Sequence, residues 1–549
     1  MSHEPLLATN SVENNVIYTV QEEDTGLEAK SSVPIEEVNP LGYGVGFWSA
    51  TLLNISGMIG SGIFSTSSLV IRSVGSVGML LVMYIIAPLV TYAGLIVYIE
   101  LASMCGHKRS GAEVVYLEQA YPRPKYLVST TFAITTLLAG YAGMGSTVFA
   151  KHAIQSFGLE YTPFRQKMIA ITHLSSAVAV CLFSTKWALR MNNVATVFKL
   201  AALLLITLTG IACMLGWIAV PYSGNLNHPF AGTSYEGNAL ATSFVKVNFS
   251  FVNWNLILNL TAEIKGRDPI RTAQSAGFLS VFITSVLYMT TVLSFVVVMT
   301  KEELVDAGEV LGAKFLQKVY GDAIADKLFL LFIGMSTYGG AIAVVLSYTR
   351  MIREAGRQGV LPFATFWSQV SRFKTPYGPV WLKWTLSVTI LLVVPAKDTF
   401  SFLVDLASYP GLVFALANAC GVWILRRRRA KLGLPEHAHK AWNIVVLAYV
   451  MKSIGLLVMP WIPPKSGSHG GDVDFFYATY CIVGIMMLMA CGLYYWVWFK
   501  VMPRWFGYEI VEETVSLPGG AKAAVLRRRY KGQVDPQQEP LLHGAAFPS

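Results

Sequence analysis

The sequence predicts an all-α polytopic membrane protein with about twelve transmembrane helices, and three observations carry that reading. Hydrophobic residues make up 54% of the 549 and charged residues only 13%. The apolar residues fall in runs of about twenty or more, the length of helix that crosses a hydrocarbon core. The net charge of +10 is spread as short Lys and Arg clusters at the ends of those runs. Topology signals are arranged that way and a basic nucleic-acid surface is not, so no nucleic-acid partner is expected.

In chain order, residues 1–42 are acidic, with Glu22, Glu23, Asp24, Glu36 and Glu37, and with Lys30 as the only Lys or Arg. Such a segment has too little apolar surface to bury and is expected to be a disordered tail. No cleavable signal peptide is read there, so the first span is expected to serve for insertion. A membrane domain over 43–500 follows. Its spans are expected at roughly 45–71, 76–104, 126–157, 166–184, 193–219, 239–263, 273–299, 324–349, 379–396, 399–425, 441–461 and 475–500. Residues 501–549 are expected to be a second tail.

Two spans depart from a plain lipid-facing helix. The first carries Gly57, Gly60 and Gly62 among Ser56, Ser61 and Ser65. Each glycine costs about 1 kcal/mol in a helix interior, so this density predicts an interruption. Backbone groups freed inside a bilayer must be buried in protein or face a wet cavity, so a solute is expected there. The sixth span holds Asn248, Asn253, Asn255 and Asn259, and polar side chains at membrane depth turn inward. Paired interruptions in corresponding spans of two inverted halves point to a binding site between them.

Lys and Arg orient the chain. With the N-terminus inside, the inner loops hold Lys108 and Arg109, Lys186 and Arg190, Lys265 and Arg267, the basic residues from Arg350 to Lys374, and Arg426 to Arg429. That is roughly twenty basic residues inside against about nine outside, which predicts that both tails face the cytosol. The four successive arginines are read as a topology signal and headgroup contact. Glu100 and Glu263, at the inner ends of their spans, are expected to anchor loop arginines. The six cysteines stand singly with no ligand spacing, so neither a disulfide framework nor a metal site is expected. The spans show no paired carboxylate, nucleophile–base dyad or metal cluster, so the chain is read as no enzyme, with no cofactor. Asp405, alone in the tenth span, costs about 2.5–3.5 kcal/mol on insertion scales and is expected to have a partner or a wet cavity.

Gly60-Ser61-Gly62-Ile63-Phe64 resembles the signature of the amino acid, polyamine and organocation superfamily. Tyr98-Ile99-Glu100-Leu101, Ser110-Gly111-Ala112-Glu113, Tyr116-Leu117-Glu118, Arg123-Pro124-Lys125, Trp254-Asn255 and Ser347-Tyr348-Thr349-Arg350 resemble its L-type amino acid transporter branch, and fungal high-affinity methionine permeases within it. The resemblance covers roughly 42–500 and implies a leucine-transporter-like fold. That fold has a 5+5 inverted repeat with broken helices 1 and 6, over 43–219 and 239–425, followed by two last helices over 441–500. It also implies a plasma-membrane permease importing a neutral, methionine-like amino acid by alternating access, coupled to protons. A non-transporting receptor and a broad L-type exchanger are the alternative readings.

The expected site follows the two breaks. Amides of Ser61, Gly62 and Ile63 at the start of the second half-helix suit a carboxylate. Carbonyls near Met58 and Ile59, and near Phe249, Ser250 and Val252, suit an ammonium, and Gly60 is expected in the same substrate site. Phe249 is the family's gate position, and Phe251, Asn253, Trp254 and the small-residue run over 140–145 are expected to shape the pocket. The family's glycine pair is replaced by Val252-Asn253, which is expected to narrow the site or stiffen the break. Lys199 matches the lysine that stands in for a sodium ion in proton-dependent members, its ammonium is expected to donate to carbonyls freed around Ile59 and Gly60, and Lys199 and Asp405 are the coupling candidates. Snorkelling of Lys199 to the inner interface is its alternative, since it lies only about 9 Å into the expected span. The loop over 151–167 has no cysteine, so the disulfide-linked heavy chain of the mammalian L-type branch is not expected. Lys30 in the acidic tail is a candidate acceptor for ubiquitin, through a ligase adaptor that reads the neighbouring acids.

Overall fold

The computed structural model describes residues 34–36, 38–60, 62–139, 141–218, 220–393, 399–463 and 478–530. Among them, eight helical segments are long and apolar enough to cross a membrane. These lie in α3 (Val77–Cys105), α7 (Pro163–Phe183), α8 (Thr185–Met214), α10 (Pro269–Val298), α13 (Asp322–Arg357), α16 (Thr399–Lys431), α17 (Asn443–Val458) and α18 (Thr479–Trp496). Local sequence sets where several begin. Ser76, Thr162, Ser184 and Asp268 each accept a hydrogen bond from the backbone of the first turn that follows, which satisfies an amide with no partner inside the helix. Proline at the start of α7 and α10 adds a residue with no amide to satisfy.

Where the other four spans were expected, the chain forms shorter elements. The first is α1 (Phe47–Met58) and α2 (Gly62–Val74). The third is α5 (Leu127–Ala139) and α6 (Met144–Ser156). The sixth is α9 (Gly237–Ser250) and a 3-10 segment (Leu256–Glu263). The ninth is α15, of 17 residues (Tyr377–Val393). Short helices α4 (Ala112–Ala120), α11 (Lys301–Asp306), α12 (Leu311–Tyr320), α14 (Ala364–Ser368) and α19 (Met502–Phe506) lie between or beyond these. The core forms where α1 is enclosed by α8, α10 and α13, while α2 packs on α9.

Buried ion pairs gather where α3, α4, α13 and α16 meet their loops. Glu263 takes both Arg350 Nε and Nη2, at 2.7 and 2.9 Å. Glu100 takes Arg426 through two contacts of 2.7 Å. Both glutamates therefore anchor arginines, as their positions suggested. Glu354 sits between Arg109 Nε at 2.6 Å and Arg357 Nη1 at 2.7 Å. The arginine run is less free for headgroups than its sequence suggests. Arg428 donates to the Gln119 carbonyl, and Arg429 to those of Met104 and Pro435.

Both expected tails contain ordered structure. Glu36 is 8% exposed and receives Arg353 Nη2 at 2.5 Å and the Lys522 amide at 3.2 Å. Lys522 opens β2 (Lys522–Tyr530), which pairs antiparallel with β1 (Tyr508–Ser516). Composition alone could not place them, because their partners are arginines of α13, distant in sequence. Lys30 lies outside the described residues.

Candidate functional site

A cavity of about 120 Å³ lies at the two principal breaks. The first break follows from glycine. Ile59 leaves α1 in extended conformation, with φ −77° and ψ 93°, and α2 starts at Gly62. At the second break Asn253 adopts φ 68°. Asparagine is the non-glycine residue that tolerates this left-handed region best, so it fills the turn where the family pattern has glycine. Met58, Gly60, Gly62, Phe249, Val252 and Asn253 line the cavity, as does Ser250. Phe251, Ile59 and Ile63 are buried behind it: Phe251 is 1% exposed and packs edge-on against Tyr288 at 5.1 Å. Trp254 also points away from the cavity, stacking edge-on against Tyr98 of α3 at 5.0 Å. Ser61 lies outside the described residues, and the side chain of Asp405 likewise.

Hydrogen bonds cross between the breaks. Thr66 of α2 meets Ser250 of α9 at 2.7 Å, and Asn54 of α1 accepts the Ile257 amide at 2.9 Å. Each half of the first span is thereby fastened to a different half of the sixth. Tyr288 of α10 bridges them again, donating to the carbonyls of Met58 at 2.7 Å and Ser250 at 3.1 Å. Two carbonyls expected to meet a ligand's ammonium thus already carry one bond each, which leaves each a second lone pair. The Ile59 carbonyl is fully engaged by Lys199 Nζ at 2.7 Å and the Ser336 hydroxyl at 3.2 Å.

Lys199 is 2% exposed. Its ammonium donates to the carbonyls of Ser56 and Ile59, at 2.8 and 2.7 Å, and to the Ser56 hydroxyl at 3.1 Å. All three protons have acceptors. Ser56 takes the part expected of Gly60. Snorkelling is excluded because the ammonium spends its donors on Ser56 and Ile59, and α8 starts at Thr185 rather than near 193, which puts Lys199 about 21 Å along the helix. Gly339 and Gly340 of α13 leave room for it: a Cβ at Gly339 would stand 3.4 Å from Lys199 Cε and 2.9 Å from Ala195 Cβ.

The amino acid permease family profile matches residues 45–488. The chain belongs to the amino acid permease family. Among curated relatives of this permease is the high-affinity methionine permease of Saccharomyces cerevisiae, 26% identical over 91% of this chain and 87% of the relative. The low-affinity methionine permease of that yeast is 27% identical over 88% of this chain and 87% of its own length. The mouse b(0,+)-type amino acid transporter 1 is 24% identical over 80% of this chain and 85% of the relative. Membership makes the chain a multi-pass membrane transporter rather than an enzyme, and agrees with the L-type and methionine-permease resemblance read from its motifs.

Tyr141, Ala142, Met144 and Gly145, at the interruption between α5 and α6 within the run expected to shape the pocket, line the permease's cavity. Sequence reasoning missed the wall that α13 supplies, Ser336, Thr337, Gly340 and Val344. The third interruption had a signal: Gly140, Gly143 and Gly145 within six residues, a density like that of the first break. The α13 residues and Tyr288 had none, because a hydroxyl or glycine at helical spacing looks the same facing a cavity or a neighbouring helix.

Proposed function

We propose that this chain is a secondary active permease of the plasma membrane that imports a neutral, methionine-like amino acid by alternating access, coupled to protons. The observation that carries the proposal is the cavity bounded jointly by α1–α2 and by α9 with its 3-10 segment, the two interruptions fastened to each other. In this reading the three interrupted spans, the single short helix α15 and the eight long helices make twelve spans. They form two inverted repeats over 43–219 and 239–425, with 441–500 appended and both termini cytoplasmic.

The substrate carboxylate meets the start of α2, near Gly62 and Ile63, where the positive end of the helix dipole favours an anion. The ammonium takes the second lone pairs of Met58 and Ser250, with the carbonyls of Phe249 and Val252 beside them. Phe249, Tyr141, Met144 and Val344 then meet the side chain, an apolar surface suited to an unbranched thioether. Lys199 acts as a built-in cation, pinning the end of α1 as a bound metal ion would. The yeast methionine permeases support the choice of substrate.

The test is uptake of labelled methionine by the purified full chain in proteoliposomes, with and without an inward proton gradient, and with every common amino acid as competitor. Accumulation driven by the gradient and competed by methionine is expected. Saturable binding without uptake would make the chain a receptor, and counterflow with equal preference for all large neutral amino acids would make it a broad exchanger.

A further inference from the structure

Glu113 opens α4 at a junction with α3, α13, α16 and the 3-10 segment. Gly111 just before it, at φ 88°, lets its amide reach the Asn259 carbonyl at 3.0 Å. A Cβ at Gly111 would stand 3.0 Å from Glu354 Cβ and 3.2 Å from Met351 Cα. The start of α4 is thereby held against both the sixth span and the end of α13.

The partly buried Glu113 carboxylate accepts from the Tyr98 hydroxyl at 2.5 Å, and Asn418 Nδ2 donates to that same hydroxyl oxygen at 3.3 Å. Tyr98 and Asn418 are each 1% exposed. The other titratable groups facing Glu113 are phenols: Tyr116 of α4, Tyr348 of α13 and Tyr449 of α17. Two lysines lie over the rings of these phenols, Lys383 Nζ 4.5 Å from Tyr348 and Lys452 Nζ 5.0 Å from Tyr449. The acids of the surrounding elements are already matched to arginines, Glu100 to Arg426, Glu263 to Arg350, Glu118 to Arg109, and Glu354 to Arg109 and Arg357. Glu113 has no ion-pair partner among the described residues. Burial pushes its carboxyl above the usual carboxylate range, outweighing the hydrogen bond from Tyr98.

One further atom points to a second state. The amide oxygen of Asn418 is buried with no hydrogen-bond partner among the described residues, a costly arrangement at such a site. We propose that Glu113, Tyr98 and Asn418 form a proton-binding relay whose hydrogen-bond polarity reverses when Glu113 takes a proton.

In the charged state Asn418 N–H donates to Tyr98, and Tyr98 O–H donates to the carboxylate. When one proton is taken from water onto Glu113, the new O–H donates to the Tyr98 oxygen. The Tyr98 hydrogen then turns to the amide oxygen of Asn418, whose side chain has rotated half a turn. No other covalent bond forms or breaks, while the hydrogen bond from Asn418 Nδ2 to Tyr98 is given up and its N–H moves to where the amide oxygen stood. The orphaned acceptor is satisfied only in the protonated state. Tyr98 packs on Trp254 at 5.0 Å, and Trp254 follows the cavity residue Asn253. The relay therefore adjoins the break that shapes the substrate cavity. Its role in coupling rests on the proposed proton-driven transport, whereas proton binding itself does not.

The test is an infrared difference titration of the full chain in liposomes without substrate, paired with uptake against pH. Wild type is expected to show a protonated-carboxyl band that is absent in Glu113→Gln. In Tyr98→Phe the band's midpoint is expected to move up by about one pH unit, because the charged carboxylate loses its strongest hydrogen bond. Glu113→Gln is also expected to lose the pH dependence of uptake. A band undiminished in Glu113→Gln, or a midpoint unmoved in Tyr98→Phe, overturns the relay. An intact pH profile in Glu113→Gln alongside one lost in Lys199→Met overturns the relay's role in coupling. If the band behaves as expected while wild-type uptake ignores pH, the relay stands and the proton-coupled reading of transport falls.

Discussion

Replacing the glycines of the first break by alanine, one at a time, separates the need for close approach from the need for backbone freedom. At Gly57 an added Cβ would lie 2.5 Å from Leu256 Cδ1, 3.0 Å from Asn253 Cβ and 3.2 Å from the Asn253 carbonyl oxygen. The leucine methyl ends a flexible side chain, but Leu256 is 1% exposed and has little room to turn. Asn253 is held by its turn at φ 68°. Overpacking of this kind costs about 1–3 kcal/mol, while alanine in place of helical glycine returns up to about 1 kcal/mol. The expected net for Gly57→Ala is a destabilisation of roughly 1–2 kcal/mol, with α1 pushed off the 3-10 segment. At Gly60 nothing lies within 4 Å, and at Gly62 the nearest atom is Ser250 Cα at 3.5 Å, an ordinary contact. Gly60→Ala and Gly62→Ala should therefore keep the wild-type melting temperature. Gly62→Val is different, because its branches enter the narrow space before Ser250 and Phe249, and it should reach the membrane yet lose uptake. Thermal midpoints of the purified variants, with methionine uptake normalised to surface expression, read all four. Wild-type behaviour of Gly57→Ala, or an equal loss in Gly60→Ala, would refute the reasoning.

Lys199→Met removes the donor that three acceptors share and strips the buried Ser56 carbonyl of it, a cost of about 1–3 kcal/mol at the break. Accumulation against a gradient should be lost in proteoliposomes, and a mutant that still concentrates substrate with the wild-type pH profile would reduce Lys199 to a packing role. Glu263→Gln leaves the Arg350 guanidinium charged where both side chains are 1% exposed. A destabilisation of about 3–5 kcal/mol is expected, seen as loss of the monodisperse protein on size exclusion, and normal yield with an unchanged melting temperature would contradict it. Glu303, in the capping box of α11, feels burial pushing its carboxyl up, but the hydrogen bonds from Lys318 and the Thr300 amide overcome this and hold it below its ordinary value. A depressed carboxyl stabilises the fold above its unfolded pKa of about 4.3 and loses that contribution as pH falls through the folded value. Amide exchange in α11 should accelerate on acidification below that range, and a Glu303→Gln variant should show no such acceleration.

The sequence by itself determined the membrane class and most of the long helices, because apolar run length and glycine density are local quantities. The interruption at Gly60 and Gly62 was legible for the same reason, and Lys199 could be aimed at Ile59 once that interruption was placed. Tertiary structure alone decided which way side chains turn at the second break. Phe251 and Trp254 flank the cavity-lining pair Val252-Asn253 in a polar stretch, yet Tyr98 and Tyr288 draw both rings away from the cavity. The same holds for the carbonyls. Tyr288 reaches Met58 across 230 positions, and no local pattern announces a donor so far along the chain. The two tails show the limit from the other side. An acidic, apolar-poor segment has no reason of its own to order, and Glu36 is buried only because Arg353 and the Lys522 amide converge on it from remote parts of the chain. A carboxylate leaves water when partners elsewhere replace its hydration, and only the folded chain brings those partners together.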